Sequence, residues 1–277
     1  VTNRAAIALA AVLAAALFGG MFWWQGEGPG GRIPNPPPPV AAAAPVAPAP
    51  APAPAPASAP AIQHPVPAVA ASGSELVPDF EAALVELFGA PTAAGLLRTE
   101  DFAHRFVATI DNLGRESAPS GVWPVQPAKG RFLAADTASG QVVQADNALR
   151  YAPYVILLEQ VDLRKAVRVY AQHYPALQRA YEQLGLPQPY FNDRFIAVLD
   201  QLLATPEVPA PVHVHLPTIV GPAPTRPWLL YEFDDPALRS LSAGQRILLR
   251  MGTVNERRVK ARLAELRGLL AADNTGA

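Results

Sequence analysis

Asp162–Leu184, DLRKAVRVYAQHYPALQRAYEQL, decides how the folded part of this chain is read. Tyr170, Tyr174, Leu177 and Tyr181 recur at intervals of four, three and four residues. Side chains at that spacing stack along one face of an α-helix, whose turn takes 3.6 residues. Asp162 stands where a carboxylate can accept from the free N–H groups of a first turn, and Gly185 and Pro187 follow as stop signals. We read the tyrosines as a core stripe rather than a ligand box. Pro175 lies inside the run and predicts a kink or a break, because it removes a backbone donor and crowds the preceding turn.

Working outward, the same reasoning gives a mainly α domain. Val77–Phe88 reads as a helix ended by Gly89 and Pro91. Glu100–Leu113 reads as a second, capped by Thr99, with Phe102, Phe106 and Ile110 on one stripe. Asp146 is expected to cap a helix to about Glu159, and Asn192–Leu203 is another. Between them Arg131-Phe132-Leu133, a turn at Ser139-Gly140 and Val142-Val143 predict a short hairpin that must pack on the helices to persist. Val208–Pro227 reads as an extended connection and Trp228–Phe233 as a short strand. Ser242-x-x-Gln245 and Thr253-x-x-Glu256 both match the capping box, predicting a short helix, a break at Gly252 and a long helix. Val259, Leu263, Leu266 and Leu270 form the apolar stripe of that last helix, and Arg257, Arg258, Lys260, Arg262 and Arg267 read as its solvated basic face.

The first quarter of the chain has a different character. Residues 5–24 contain no charge, and a helix of that length spans about 30 Å of hydrocarbon. Arg4 precedes the run and Trp23-Trp24 close it, so it is expected to be a single-pass transmembrane helix with residues 1–4 cytoplasmic and the C-terminal part periplasmic. A cleaved signal peptide is the alternative, but Phe22-Trp23-Trp24 stands where a small-x-small cleavage site belongs. Residues 25–73 read as a Pro/Ala-rich disordered linker, with fourteen prolines between Ile33 and Pro67. In polyproline II geometry, at about 3.1 Å per residue, that stretch reaches roughly 100 Å. Residues 74–272 form the soluble helical domain and 273–277 a disordered tail.

Charge and composition exclude several classes. The chain of 277 residues has 22 basic and 23 acidic residues, a net charge of −1. Such a balance gives no long-range attraction for nucleic acid, whose binding rests on neutralised phosphates. The absence of cysteine removes disulfides, thiolate metal ligands and thiol nucleophiles. There is no Gly-x-Ser-x-Gly, no His-Glu-x-x-His, no phosphate loop and no dinucleotide fingerprint in a strand–turn–helix setting.

Several segments in order resemble a bacterial family known as domain of unknown function 3014. They are Phe106–Arg115 (FVATIDNLGR), Arg150–Tyr154 (RYAPY), Val161-Asp162, Tyr170–Tyr181 (YAQHYPALQRAY), Phe191-Asn192-Asp193, Leu202–Pro206 (LLATP) and Phe233–Gly252 (FDDPALRSLSAGQRILLRMG). The resemblance implies a membrane helix, a Pro-rich linker and one helical domain, with no assigned activity. The chain departs from the pattern at Asp234, where the family is expected to have alanine.

Candidate binding residues are Asp111, Asn112, Arg115, Asp193, Arg246 and Arg250, each a polar group at a helix end or in a charge-rich segment. Glu232, Asp234 and Asp235 stand opposite Arg239, Arg246 and Arg250 as an expected ion-pair network. His213 and His215 would share one strand face and offer two of the ligands a Zn²⁺ site needs, with His104 or His173 as further donors. No cofactor and no catalytic residue is assigned. The reading that results is a non-catalytic interaction module of the bacterial inner membrane, binding an envelope protein or cell-wall material. The alternatives are an enzyme on envelope polymers, using Asp111, Arg115, Asp193 or the histidine pair, and a module facing the cytoplasm.

Overall fold

The computed structural model describes residues 61–66, 80–186, 190–219 and 221–271. In chain order its helices are α1 (Phe80–Phe88), α2 (Ala90–Leu96), α3 (Phe102–Leu113), α4 (Asn147–Gln160), α5 (Leu163–Glu182), α6 (Phe191–Leu203), α7 (Pro236–Arg239), α8 (Ala243–Arg250) and α9 (Thr253–Ala271). Strands β1 (Ala134–Thr137), β2 (Gly140–Val143), β3 (His213–His215) and β4 (Glu232–Phe233) form one antiparallel sheet in the order β1-β2-β3-β4. The chain is thus mainly helical with a small four-stranded sheet. The expected transmembrane helix at 5–24 and the tail 273–277 lie outside the described residues. Among the described residues no helix is long and apolar enough to cross a membrane.

The tyrosine helix α5 forms as its spacing requires. Asp162 accepts from the Lys165 backbone N–H at 3.1 Å, and Tyr170, Leu177 and Tyr181 are buried. Of the kink or break expected at Pro175, the break does not occur, because α5 runs through it. An interior proline costs about 3 kcal/mol, whereas each fully buried large apolar side chain returns about 1.5–3 kcal/mol. Stripe residues on both sides of Pro175 therefore hold the helix together. Pro153 inside α4 is tolerated similarly, between buried Tyr151 and Val155.

Helix α3 packs against α5, α6 and α8, and α9 lies against α4, α5 and α6. Phe106 sits at their centre, meeting Phe191 and Phe195 edge-on with ring centroids 5.8 and 5.7 Å apart. Gly244 allows the closest approach. A Cβ there would lie 2.5 Å from Leu202 Cδ2 and 3.1 Å from the Leu113 carbonyl oxygen. That contact lets Ala243 N–H donate to Arg115 O at 2.7 Å, joining α8 to the end of α3. A second, smaller core of Phe132, Val214, Phe233, Leu238 and Leu249 lies beneath the sheet.

Local signals were met unevenly. The hairpin exists, but β1 starts at Ala134, and Arg131 instead lies over the Trp228 ring at 4.1 Å. Pro227–Leu229 is a 3₁₀ turn, leaving only Glu232–Phe233 of the expected strand, while the extended connection contributes β3. The Ser242–Gln245 capping box is complete. The Thr253–Glu256 box is not formed: α9 starts at Thr253 after Gly252 at φ +78°, and Glu256 N–H donates to Gly252 O. Thr99 does not cap α3, since its hydroxyl donates to Glu81, and Asp101 occupies the cap position at φ +52°. Asp146 makes no cap bond, and Asn147 ties the start of α4 to Leu133 instead. The basic face of α9 is solvent-exposed as expected and is also ion-paired: Arg257 pairs with Glu207, Arg258 with Glu159 and Arg267 with Asp200, while the more buried Arg262 donates to the carbonyls of Leu158 and Val161.

Three stability measurements follow. Phe106→Ala should destabilise by roughly 3–5 kcal/mol in urea titration, as expected of a truncated buried aromatic. Leu149→Ala, at a position 70% exposed on α4, should stay within about 0.5 kcal/mol. Glu256 is 1% exposed, 3.6 Å from Lys260, and burial holds its carboxyl above the ordinary 4.5 against the pull of that lysine. The folded state then binds this proton more tightly than the unfolded one, so stability is lost as pH rises above 4.5 through the folded value. Glu256→Gln should therefore raise Tm at pH 7, with a gain that shrinks towards pH 4. An unchanged or lower Tm at pH 7 would contradict this sign.

Candidate functional site

The start of α6 is buried, and its cap residue, Tyr190, offers no side-chain acceptor to the first turn. The orphan donors are met from α5 instead. Phe191 N–H donates to Gln178 Oε1 at 2.9 Å, and Asn192 N–H donates to the Tyr174 hydroxyl at 3.1 Å. The Tyr174 O–H in turn donates to Gln178 Oε1 at 2.8 Å. Burial, foremost, pushes the hydroxyls of Tyr170 and Tyr174 far above the usual tyrosine range, so both stay protonated. Tyr170 O–H donates to Asn192 Oδ1 at 2.9 Å, which fixes the fully buried amide with its Nδ2 pointing outward.

That outward edge holds a short bent stretch of main chain. Asn192 Nδ2 donates to His64 O at 2.8 Å. Asp193 accepts from two successive amides, Gln63 N–H at 3.0 Å and His64 N–H at 2.7 Å. Tyr190 Oη accepts from Val66 N–H at 3.1 Å, and Val66 packs on the main core. Residues 62–66, which the sequence places in the linker, thus dock on the helical domain through three N–H groups and one carbonyl.

On the other side of Asp193, Arg194 reaches the end of α3. Asp111 is 5% exposed; its Oδ1 accepts from Arg194 Nε at 2.8 Å and its Oδ2 from Arg115 Nε at 2.5 Å. Arg194 Nη2 also donates to Asp111 O at 2.9 Å. A Cβ at Gly114 would stand 2.9 Å from that nitrogen. Asn112 contributes its carbonyl to the turn that ends α3, accepting from Arg115 N–H. Arg246 donates to Glu116 O and to Arg239 O, tying α8 to the same corner. The structure thus gathers Asp111, Asn112, Arg115, Asp193 and Arg246 around the ends of α3, α6 and α8.

Arg250 lies elsewhere, in the second core. Its Nη2 donates to Tyr231 O at 2.7 Å, its guanidinium sits 5.2 Å from the Phe233 ring, and burial, foremost, lowers its pKa to about 10. The expected ion-pair network does not form. Asp234 pairs with His215 at 2.6 Å, Asp235 caps α7 through Ala237 N–H, and the arginines serve carbonyl oxygens. His213 and His215 flank buried Val214 on β3. His104 is bound by Asp101 and Gln183, and His173 stacks on Phe80. Among the described residues no group of three or more His, Cys, Asp or Glu side chains could hold a metal ion.

A separate open cleft of about 410 Å³ is lined by Phe80, Asp101, His104, Arg179 and Gln183 among others. Hydrogen bonds to Gln183 and then Asp101 hold the His104 ring above its ordinary pKa. Sequence reasoning missed Tyr190, Arg194 and the docked segment, and assigned Tyr170 and Tyr174 to the core alone. One signal was available: Ile62-Gln63-His64 interrupts the Ala/Pro monotony of the tether.

The corner makes a differential prediction. Asp111→Ala leaves the partly buried Arg194 without its carboxylate and should cost roughly 2–3 kcal/mol, less than the 3–5 kcal/mol of a fully buried pair because Arg115 is half exposed. Arg115→Ala, removing an exposed partner, should cost no more than about 1 kcal/mol. Equal losses in chemical denaturation would show that the Arg194 contact is not the dominant one.

A family model described as a protein of unknown function, DUF3014, matches residues 102–267. That span takes in α3 to α9, the tyrosine stripe, the Asn192–Asp193 edge and the Asp111 corner. Curated proteins and solved structures give no match. With more than half of its length matched, and with the helices and polar corner described above falling inside the matched span, the chain belongs to the DUF3014 family.

Proposed function

We propose that this chain is a non-catalytic interaction module of the bacterial envelope, anchored in the inner membrane through residues 5–24 and presenting its helical domain to the periplasm. The observation that carries the reading is the use of the polar corner. Asp111 is committed to two arginines, and Asp193 and Asn192 hold peptide backbone. A carboxylate working in acid–base chemistry must face a reacting proton. Here the carboxylates and the amide position helices and main chain, which is the chemistry of protein recognition. The uncharged run at 5–24, the aromatic pair Trp23-Trp24 and the proline-rich stretch behind them support an anchored, spaced-out placement. The partner is an envelope protein, and near-neutral charge argues against nucleic acid.

In-cell cross-linking of the tagged full-length chain, followed by mass spectrometry, tests this. A reproducible envelope protein is the expected adduct. Recovery of glycan fragments alone, or of nothing, would overturn the protein-binding reading. A periplasm-active reporter fused after Ala277 should be active, and a silent one would overturn the orientation.

A further inference from the structure

The edge of α6 already holds a peptide, and the manner of holding states what else would fit. Four main-chain groups of the segment are used: the amides of residues 63, 64 and 66 and the carbonyl of residue 64. The position between the last two donors is Pro65, which has no N–H to leave unsatisfied and whose ring presets an extended φ. Exposure alternates in the same register. His64 and Val66 are half-buried, whereas Ile62, Gln63 and Pro65 face outward. The chain bends at Gln63 and His64, which turns two successive N–H groups towards the one Asp193 carboxylate, so main-chain bonds hold the bend while the half-buried His64 and Val66 side chains are the ones the domain can read. The receptor side is set in advance: Asn192 is oriented by Tyr170, and the N-terminus of α6 by Tyr174 and Gln178.

From this we infer that the Tyr190–Asp193 edge is a peptide-recognition site whose partner is a protein segment of the type x-His-Pro-Val that bends at its first two residues as Gln63 and His64 do, and that Ile62–Val66 is its resident competitor. The inference rests on the interaction-module reading and names where the partner binds. A trans segment must offer two consecutive amides to Asp193, a carbonyl to Asn192, no obligatory donor at the third position, and a compact apolar side chain at the fourth. Ile62–Val66 reaches the site from the same chain. A covalently joined occupant of this kind competes at an effective concentration of order millimolar, so the site opens when a partner arrives in excess or the segment is drawn away.

The test uses the full-length chain in detergent micelles with residues 62–66 replaced by Gly-Ser-Gly-Ser-Gly. Fluorescein-labelled AIQHPVPA, the sequence of residues 61–68, is titrated and followed by anisotropy. The peptide is expected to bind the replaced chain at least ~10-fold more tightly than the unaltered one, whose site is filled. Adding Asp193→Ala to the replaced chain should abolish binding, and a peptide carrying Val66→Asp should not bind. A Pro65→Ala peptide should bind only about 2–5-fold more weakly, because proline there contributes preorganisation and no hydrogen bond. No binding to a replaced chain with unchanged melting, or binding indifferent to Asp193→Ala, overturns the proposal. Should the replacement unfold the domain, hydrogen exchange on the unaltered chain decides. Excess unlabelled peptide must then speed exchange at Gln63 and His64 without affecting α6, and unchanged exchange sinks the idea. A cross-linked envelope partner obtained alongside a failed titration would leave the module reading standing and remove only this site.

Discussion

A helix that begins inside a protein brings with it backbone N–H groups that no residue of its own can satisfy. α6 begins in this way, with Phe191 and Asn192 buried and a cap residue that supplies no acceptor. Each such donor left unpaired would cost about 1–3 kcal/mol. α5 meets the demand through Gln178 and Tyr174, and so the relative placement of the two helices is set by hydrogen bonds as well as by apolar contact. The same stripe then does two jobs. Leu177 and Tyr181 fill the core, while Tyr170 and Tyr174 turn hydroxyls towards the start of α6. Burial keeps those hydroxyls protonated, and a donor that cannot ionise gives Asn192 one orientation.

Cationic side chains serve a related purpose across the domain. Arg246, Arg250 and Arg262 end on carbonyl oxygens, and Lys260 donates to Thr205 O at 2.6 Å. Helix ends and short connections leave such carbonyls without intrahelical partners, and a guanidinium can reach several of them from a single stem. Near Arg250 the desolvation this requires is large enough to lower its pKa to about 10. The neighbouring rings of Phe233 and Phe132, at 5.2 and 5.9 Å, offset part of it. Charge in this domain is therefore mostly structural, and the Asp111 corner is its most concentrated example.

What could be read from the sequence follows the range of the forces involved. Helix stripes were legible, because 3.6-residue periodicity is written along one segment; Phe106, Tyr170 and Leu263 are where that spacing puts them. Caps were less legible. Ser242 formed its box, but Thr99, Asp146 and Thr253 did not, since a cap depends on the φ and ψ of one residue and its tertiary surroundings decide those. The ion-pair network failed for a similar reason: sequence proximity of Asp234 to Arg239 says nothing of a carbonyl or a histidine closer still. For the site, Asp193 and Asp111 were identified as polar helix ends, whereas their partners at residues 63, 64 and 194 were not. Contacts such as that between Asp193 and His64 span more than a hundred residues, and no local pattern encodes them.

One feature of the tether becomes intelligible once the site is known. Asp193 asks for two adjacent N–H groups, and the Ala-Pro alternation from Ala47 to Pro56 never supplies them, because every second residue lacks a donor. Ile62-Gln63-His64 restores consecutive donors immediately before Pro65-Val66. Ala43-Ala44-Pro45-Val46 repeats that donor pattern with alanine where His64 stands. The segment on the site is the one that is nearer along the chain to α1 and that offers a half-buried ring at the inward position. Main-chain hydrogen bonds alone would not separate the two, since they read no side chain. Selection between them has to come from chain proximity and from the pocket around residue 64, and the same two terms would govern any segment arriving from another protein.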